Sequence, residues 1–271
     1  MKIEAKSKLE EHILSHLTPE GGFLDLEDKN VTPEHLRLLC QAGETLQKVK
    51  QLDLSNNGLG NAEIELLSKS RCLPKLEKLF LNHNKISDSG AKILAESKLV
   101  QNISCLMLEA NQIGVNGALS LATSLNLKNL ETLFLDSNPI GPEGAEALAR
   151  STCLPSLTAL HMDSTGMGDQ GVKAIAASQT LSKIKKLYLC SNKIGDEGAI
   201  ALSQSPNLSH LTCLSIWRNE IRDAGGKAIA ESNHFLKLER LYMSLNLIEK
   251  PTRKLIRASD MASRLKTLVM D

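Results

Sequence analysis

Apolar residues recur along this chain in one figure. An aliphatic residue is followed after two variable positions by a second and after one more by a third, with an asparagine three places on and another aliphatic two beyond it. Leu76, Leu79, Leu81, Asn84 and Ile86 set it out, and Ile103, Leu106, Leu108, Asn111 and Ile113 repeat it 27 residues later. The figure returns at Leu130, Leu133, Leu135, Asn138 and Ile140, and at Ile184, Leu187, Leu189, Asn192 and Ile194. The asparagine series runs Asn57, Asn84, Asn111, Asn138, Asn192, Asn219 and Asn246, with Thr165 in its one gap. A fixed period of this size marks a stack of like units, each too small to bury its own apolar face and therefore packed on its neighbours.

Each unit predicts two elements. Alternation before the asparagine predicts a short strand, with Leu52 and Leu54 facing the core and Asp53 and Ser55 facing out. After it, Ala91, Leu94 and Ala95 fall at i, i+3 and i+4, as do Ala118, Leu121 and Ala122, or Val172, Ile175 and Ala176, which predicts a helix. Glycines at Gly90, Gly117, Gly144, Gly171, Gly198 and Gly225 suit close helix packing. The asparagine amide has a structural task, since a buried turn leaves backbone groups that it can bond.

The pattern L-x-x-L-x-L-x-x-N-x-I/L resembles the leucine-rich repeat. Its downstream half, Ile194-Gly195-Asp196-Glu197-Gly198-Ala199 running to Leu202, resembles the helix-bearing ribonuclease-inhibitor-like subclass. The resemblance covers about residues 23–271 and implies an α/β solenoid: a curved right-handed horseshoe with parallel strands on the concave face and helices on the convex face. Helices need about 10 Å of lateral room and strands under about 5 Å, which agrees with that curvature.

One domain is expected over 1–271: an N-terminal cap helix within 1–22, a degenerate first repeat at 23–48, eight repeats of 27 residues at 49–264, and a terminal strand at 265–271. The cap helix is expected over 4–17 with Leu9, Ile13 and Leu17 on one face, covering the first strand. Phe23, Leu24, Leu26 and Val31 form a strand one residue off the grid, and Thr32-Pro33-Glu34 supplies a helix cap and a proline at the first helical position. The last strand, through Leu265, Leu268 and Met270, leaves a parallel edge. Arg264, Lys266 and Asp271 are expected to protect it in a monomer; the alternative is self-association through the edge.

Charge and composition narrow the function classes. With 32 Lys and Arg against 31 Asp and Glu, the net charge of +1 points neither to nucleic acid nor to an acidic membrane. No apolar run is long enough for a bilayer, and Met1-Lys2-Ile3-Glu4-Ala5-Lys6 lacks the core of a secretory signal, so a soluble cytoplasmic protein is expected. Cys72 and Cys153 lie three repeats apart and Cys105 and Cys213 four, beyond disulfide reach at roughly 4.8 Å per strand. There is no C-x-x-C, phosphate-binding loop or dinucleotide fingerprint, so no metal, cofactor or enzymatic activity is expected. His12 and His16, at i and i+4, lack a third ligand, and Cys190 near His161 reads as an exposed thiol rather than a nucleophile.

The variable strand positions carry the functional reading. One outward file runs Asp53, Phe80, Met107, Phe134, His161, Tyr188, Ser215, Tyr242, Val269; the other runs Ser55, Asn82, Glu109, Asp136, Asp163, Cys190, Trp217, Ser244, Asp271. These 18 positions hold five of the seven Phe, Tyr and Trp residues, where random placement would put about half of one. Aromatics on an open face point to an interaction patch, since interfaces are enriched in them. Glu109, Asp136 and Asp163 form an acidic row on adjacent strands, either a solvated face or a receiver for Lys or Arg; basic residues stand only toward the ends, at Lys78, His83, Lys85, Lys186, Arg218 and Arg240. The expected function is protein-partner binding through Phe80, Met107, Glu109, Phe134, Asp136, His161, Asp163, Tyr188, Trp217 and Tyr242, with a basic partner segment on the acids. The resemblance also admits a regulator of a partner enzyme, like a GTPase-activating protein or ribonuclease inhibitor. The uniform repeats further resemble those of effectors that bacteria inject into the host cytosol.

Overall fold

The computed structural model describes residues 10–41 and 43–271. A helical turn at 10–14 (α1) precedes β1 (Phe23–Asp25) and α2 (Pro33–Leu39). Strand and helix then alternate through β2 (Gln51–Asp53), α3 (Asn61–Ser68), β3 (Lys78–Phe80), α4 (Asp88–Glu96), β4 (Cys105–Met107), α5 (Val115–Ala122), β5 (Thr132–Phe134) and α6 (Gly141–Ala149). The order continues with β6 (Ala159–His161), α7 (Gly168–Ala177), β7 (Lys186–Tyr188), α8 (Asp196–Ser203), β8 (Cys213–Ser215), α9 (Asp223–Ala230), β9 (Arg240–Tyr242), α10 (Lys250–Arg257), α11 (Asp260–Arg264) and β10 (Thr267–Val269). The ten strands form one open parallel sheet in chain order. From β2 onward each pairs with the next at 27 residues' offset, whereas Phe23 pairs with Gln51, the one-residue shift expected of the first repeat. The central residue of β1 to β9, from Leu24 to Leu241, is buried between sheet and helices.

The asparagines form the hydrogen-bonded spine of this stack. Asn84 Nδ2 donates to Leu81 O at 3.0 Å in its own repeat and to Leu54 O at 3.1 Å in the one before, while its Oδ1 accepts from Leu59 N at 2.8 Å. Asn111 and Asn138 repeat the arrangement one and two units on. Each amide thus satisfies buried donors and acceptors of two repeats that would be costly to leave bare. The residue before it takes a left-handed turn in each repeat, as at His83 (φ 52°), Ala110 (φ 51°) and Ser137 (φ 55°), which carries the chain out of the strand. Thr165 supplies less: its hydroxyl stands 3.0 Å from both Met162 O and Asn192 Oδ1. In the repeat before it, Ile140 N turns to Asn138 O at 2.8 Å instead, and Gly141 adopts φ 67°.

A second ladder joins the helix starts. Asp88 Oδ1 accepts from Gly114 N at 2.6 Å, Asp169 Oδ1 from Gly195 N and Gly198 N at 2.7 and 3.0 Å, and Asp196 Oδ1 from Gly225 N at 2.7 Å. A carboxylate from one repeat therefore caps the helix of the next, where the amides are unpaired and the dipole is positive. This close approach gives the helix glycines a sharper reason than general packing. A Cβ on Gly198 would stand 2.5 Å from Asp169 Oδ1, and one on Gly117 2.7 Å from Asp88 Oδ1.

The N-terminal end differs from expectation. Residues 4–9 of the expected cap helix lie outside the described residues. Within them the helix stops at 14, and Leu17 forms an antiparallel bridge to Leu24. Thr18 N donates to Phe23 O at 2.9 Å and Asp25 N to His16 O at 3.1 Å, so backbone pairing covers the β1 edge. At the other end the charges expected to guard β10 stay exposed while bonding to neighbouring groups. Lys266 pairs with Glu239 at 2.9 Å, Arg264 Nε donates to Asp260 O at 3.3 Å, and Asp271 Oδ2 accepts from Leu245 N at 2.8 Å. Among the described residues, no helix is long and apolar enough to cross a membrane.

Candidate functional site: the open face of the sheet

Because side chains alternate across a strand, the third residue of each strand leaves the sheet on the side away from the helices. The pairing Asp53, Phe80, Met107, Phe134, His161, Tyr188, Ser215, Tyr242 is directly in register from β2 to β9, so the expected file exists as a row of neighbours. Its centre is a stack. The rings of Phe134 and His161 lie with centroids 3.8 Å apart at 25°, and those of His161 and Tyr188 4.1 Å apart at 15°. Burial between two rings, with Lys186 adding its charge, pushes the His161 imidazole down to about 4, so it is neutral at physiological pH. The stack presents ring edges outward and keeps its inner faces for itself, so part of the aromatic enrichment is sheet support.

Toward β8 the small outward residues lie beneath larger ones. Cys213 and Ser215 are buried although they leave the sheet on its open side, and Tyr188 Oη stands 3.6 Å from Cys213 Sγ. Burial and the Cys213 thiol raise the Tyr188 phenol to about 12. Trp217 stays 38% exposed. Arg240 Nε is buried without a hydrogen-bond partner.

The second file departs from the sequence reading. Ser55, expected to face solvent, is buried, and its Oγ accepts from Asn82 N at 3.2 Å. Asn82 Oδ1 accepts from Glu109 N at 2.9 Å, Asp136 Oδ1 from Asp163 N at 2.6 Å, and Asp163 Oδ1 from Cys190 N at 2.6 Å. These side chains extend the parallel ladder beyond the strands. Asp136 and Asp163 are thus half-buried acceptors rather than a freely solvated row. Burial, reinforced by the charges of Asp163 and Glu109, lifts the Asp136 carboxyl to about 7, and burial raises Asp163 as well. Cys190 is not the exposed thiol expected: it is buried, its Sγ lies 3.0 Å from Ser215 Oγ, and burial pushes it up to about 11.

The histidines expected on the cap helix come together with a third. His12 and His16 rings meet edge to face at 5.1 Å and His35 lies 5.6 Å from His12, its Nδ1 held by Thr32 N at 3.0 Å. The carboxylates that do converge are Asp25, Glu27 and Asp53, each offering an oxygen within 4.8 Å of the others. Three of their oxygens already accept hydrogen bonds, from Glu27 N, Asn56 Nδ2 and Ser55 N, so the cluster reads as part of the first repeat's turn. Chemically, the open face is equipped to bind: ring edges, a neutral imidazole and carboxylates held by backbone amides.

The Leucine Rich repeat family model matches residues 45–65, 72–95, 126–149, 153–176, 180–203 and 207–230, more than half of the chain. The chain belongs to the leucine-rich repeat family, whose repeats generally mediate protein–protein interaction and typically serve as non-enzymatic scaffolds. Curated proteins compared over the chain give no match.

Proposed function

We propose that the open sheet face binds a protein partner, with Phe80, Met107, Phe134, His161, Tyr188, Trp217 and Tyr242 as its contact core. The observation that carries this reading is the concentration of five of the chain's seven Phe, Tyr and Trp residues on the solvent side of one sheet, in register. Sheet support accounts for the stacked faces of Phe134, His161 and Tyr188 but not for Trp217, which is 38% exposed. Glu109, Asp136 and Asp163 keep their place beside this core. With one oxygen each of Asp136 and Asp163 held by backbone amides, their remaining oxygens select a Lys or Arg of the partner. A preformed, hydrogen-bonded face loses little conformational entropy on binding.

The test is Phe134→Ala with Tyr188→Ala. Partner capture, quantified by mass spectrometry, should weaken by at least about 2 kcal/mol, while loss of stacking lowers stability by about 1–3 kcal/mol without unfolding the array. A partner retained in full by the double variant refutes the proposal. Turnover of a captured enzyme with and without this protein distinguishes regulation of an enzyme from scaffolding.

A further inference from the structure

On the helix face, one repeat departs from its neighbours at three solvent-facing positions. The helix-start position held by Asp88, Asp169 and Asp196 in other repeats, and by Pro142 in the next one, is Val115 in α5. The residue four further on, Lys92 in α4 and Glu146 in α6, is Leu119. The position held by Lys98 and Thr152 in the flanking repeats is Leu125. All three are exposed, Val115 by 38%, Leu119 by 47% and Leu125 by 71%. Other repeats place a single apolar residue at one or two of these positions, as at Pro142, Ile200 and Pro206, but three exposed aliphatic residues clustered in one repeat mark a surface that is covered.

Leu119 stands as a ridge between two grooves of about 410 and 450 Å³. The first lies against α6, with Ala122 and Ala147 in its lining and Glu146 and Arg150 on its rim. The second lies against α4, with Ala95 in its lining and Lys92 and Glu96 on its rim. The 27-residue register sets Lys92, Leu119 and Glu146 at one level, and Glu96, Thr123 and Arg150 one turn further on. Leu119 therefore has a cation on one side and an anion on the other, and the signs exchange one turn along. Within each flanking helix the charges also pair, Lys92 with Glu96 at 4.0 Å and Arg150 with Glu146 at 2.7 Å; Lys92, Glu96 and Arg150 extend well into solvent and Glu146 is half-buried.

This pattern is complementary to itself. A twofold axis lying along α5 sets Lys92 of one copy over Glu146 of the other and Glu96 over Arg150, and brings Leu119 onto Leu119 and Leu125 onto Leu125. Self-complementarity is what an isologous interface requires, and a second copy of this chain carries the pattern already. We propose that the chain forms a twofold homodimer through the helix face of α4, α5 and α6, centred on Leu119. Three helices about 10 Å wide and about 13 Å long make a patch of about 400 Å² per copy, smaller than the interfaces of stable dimers, so the dimer is weak, transient and concentration-dependent. The open sheet face lies on the other side of the layer and stays free, so this inference stands apart from the partner-binding reading.

Sedimentation equilibrium from about 1 to about 500 µM reads the dimer directly, since that range brackets micromolar affinity. The wild-type chain should pass from monomer to dimer. Leu119→Lys should raise the dissociation constant at least about 30-fold, because the residue meets itself at the centre of the patch. Its melting temperature and partner capture should be unchanged. Glu146→Lys should raise the constant about fivefold through two like-charge contacts per dimer. The fourfold variant K92E/E96K/E146K/R150E, which reverses every sign and preserves every pair, should restore it. A wild type that stays monomeric throughout, a dimer that survives Leu119→Lys, or a fourfold variant that does not recover would each overturn the proposal.

Discussion

Asp136→Asn isolates the cost of holding a carboxylate on the open face. The Asp136 carboxyl is lifted from 3.8 to about 7, by burial first, with Asp163 and Glu109 adding their charges. In the unfolded chain the same group ionises near pH 4. Between about pH 4 and 7 the native state therefore holds more protons than the unfolded one, and stability from this group falls as pH rises. A gap of about 3 pH units corresponds to at most about 4 kcal/mol, and partial solvation of the carboxyl reduces the expected effect to about 1–2 kcal/mol. Asparagine removes the charge while keeping Oδ1 for the Asp163 amide, which it now meets at 2.6 Å. The stability of Asp136→Asn relative to wild type should thus grow from near zero at pH 4 to about 1–2 kcal/mol at pH 8. Urea denaturation followed by circular dichroism across this range measures it. A difference that does not change with pH, or a variant less stable than wild type at pH 8, would refute the assignment of the raised carboxyl to Asp136.

Two further substitutions test the scaffold. Asn192 Oδ1 accepts from Thr165 N and Gly166 N at 2.9 Å each, and Nδ2 donates to Met162 O and Cys190 O at 2.8 and 3.1 Å. Asn192→Ala leaves these groups bare in the interior and should cost at least about 3 kcal/mol in urea denaturation; a loss below about 1 kcal/mol would show that water replaces the amide. Gly198→Ala sets a methyl 2.5 Å from Asp169 Oδ1 and 2.8 Å from Ile194 Cγ2, which should lower stability by about 1–3 kcal/mol. An unchanged melting temperature would mean that Asp169 gives way without loss.

The two outward files illustrate how far the chain could be read without its fold. That Phe134, His161 and Tyr188 are neighbours follows from their 27-residue spacing, because parallel strands in register convert an interval in sequence into adjacency. That their rings stack, with His161 neutral between them, depends on side-chain rotamers that no periodicity specifies. Asp136 and Asp163 look like a solvated acidic row because residue type alone does not reveal a backbone amide of the next strand 2.6 Å away. Cys190 looks exposed for the same reason: its position faces outward, but its neighbours close over it. The capping role of Asp169 and Asp196 was also present as a repeated Asp at the helix start, a signal with no local partner, since the amides it caps lie 26 to 29 residues on.

The sequence by itself determined the repeat, its strand and helix, the buried aliphatic rows and the bonding task of the asparagines. These are periodic, and a periodic chain meets the same neighbours at every turn. Only the tertiary structure decided which outward groups remain available: the covered Cys190, the amide-bound Asp136 and Asp163, the exposed Lys266 and Asp271 engaged by Glu239 and Leu245, and the exposed ridge at Leu119. Accessibility and ionisation depend on what adjacent repeats place over a side chain, and that is a property of contacts between units rather than of any one of them.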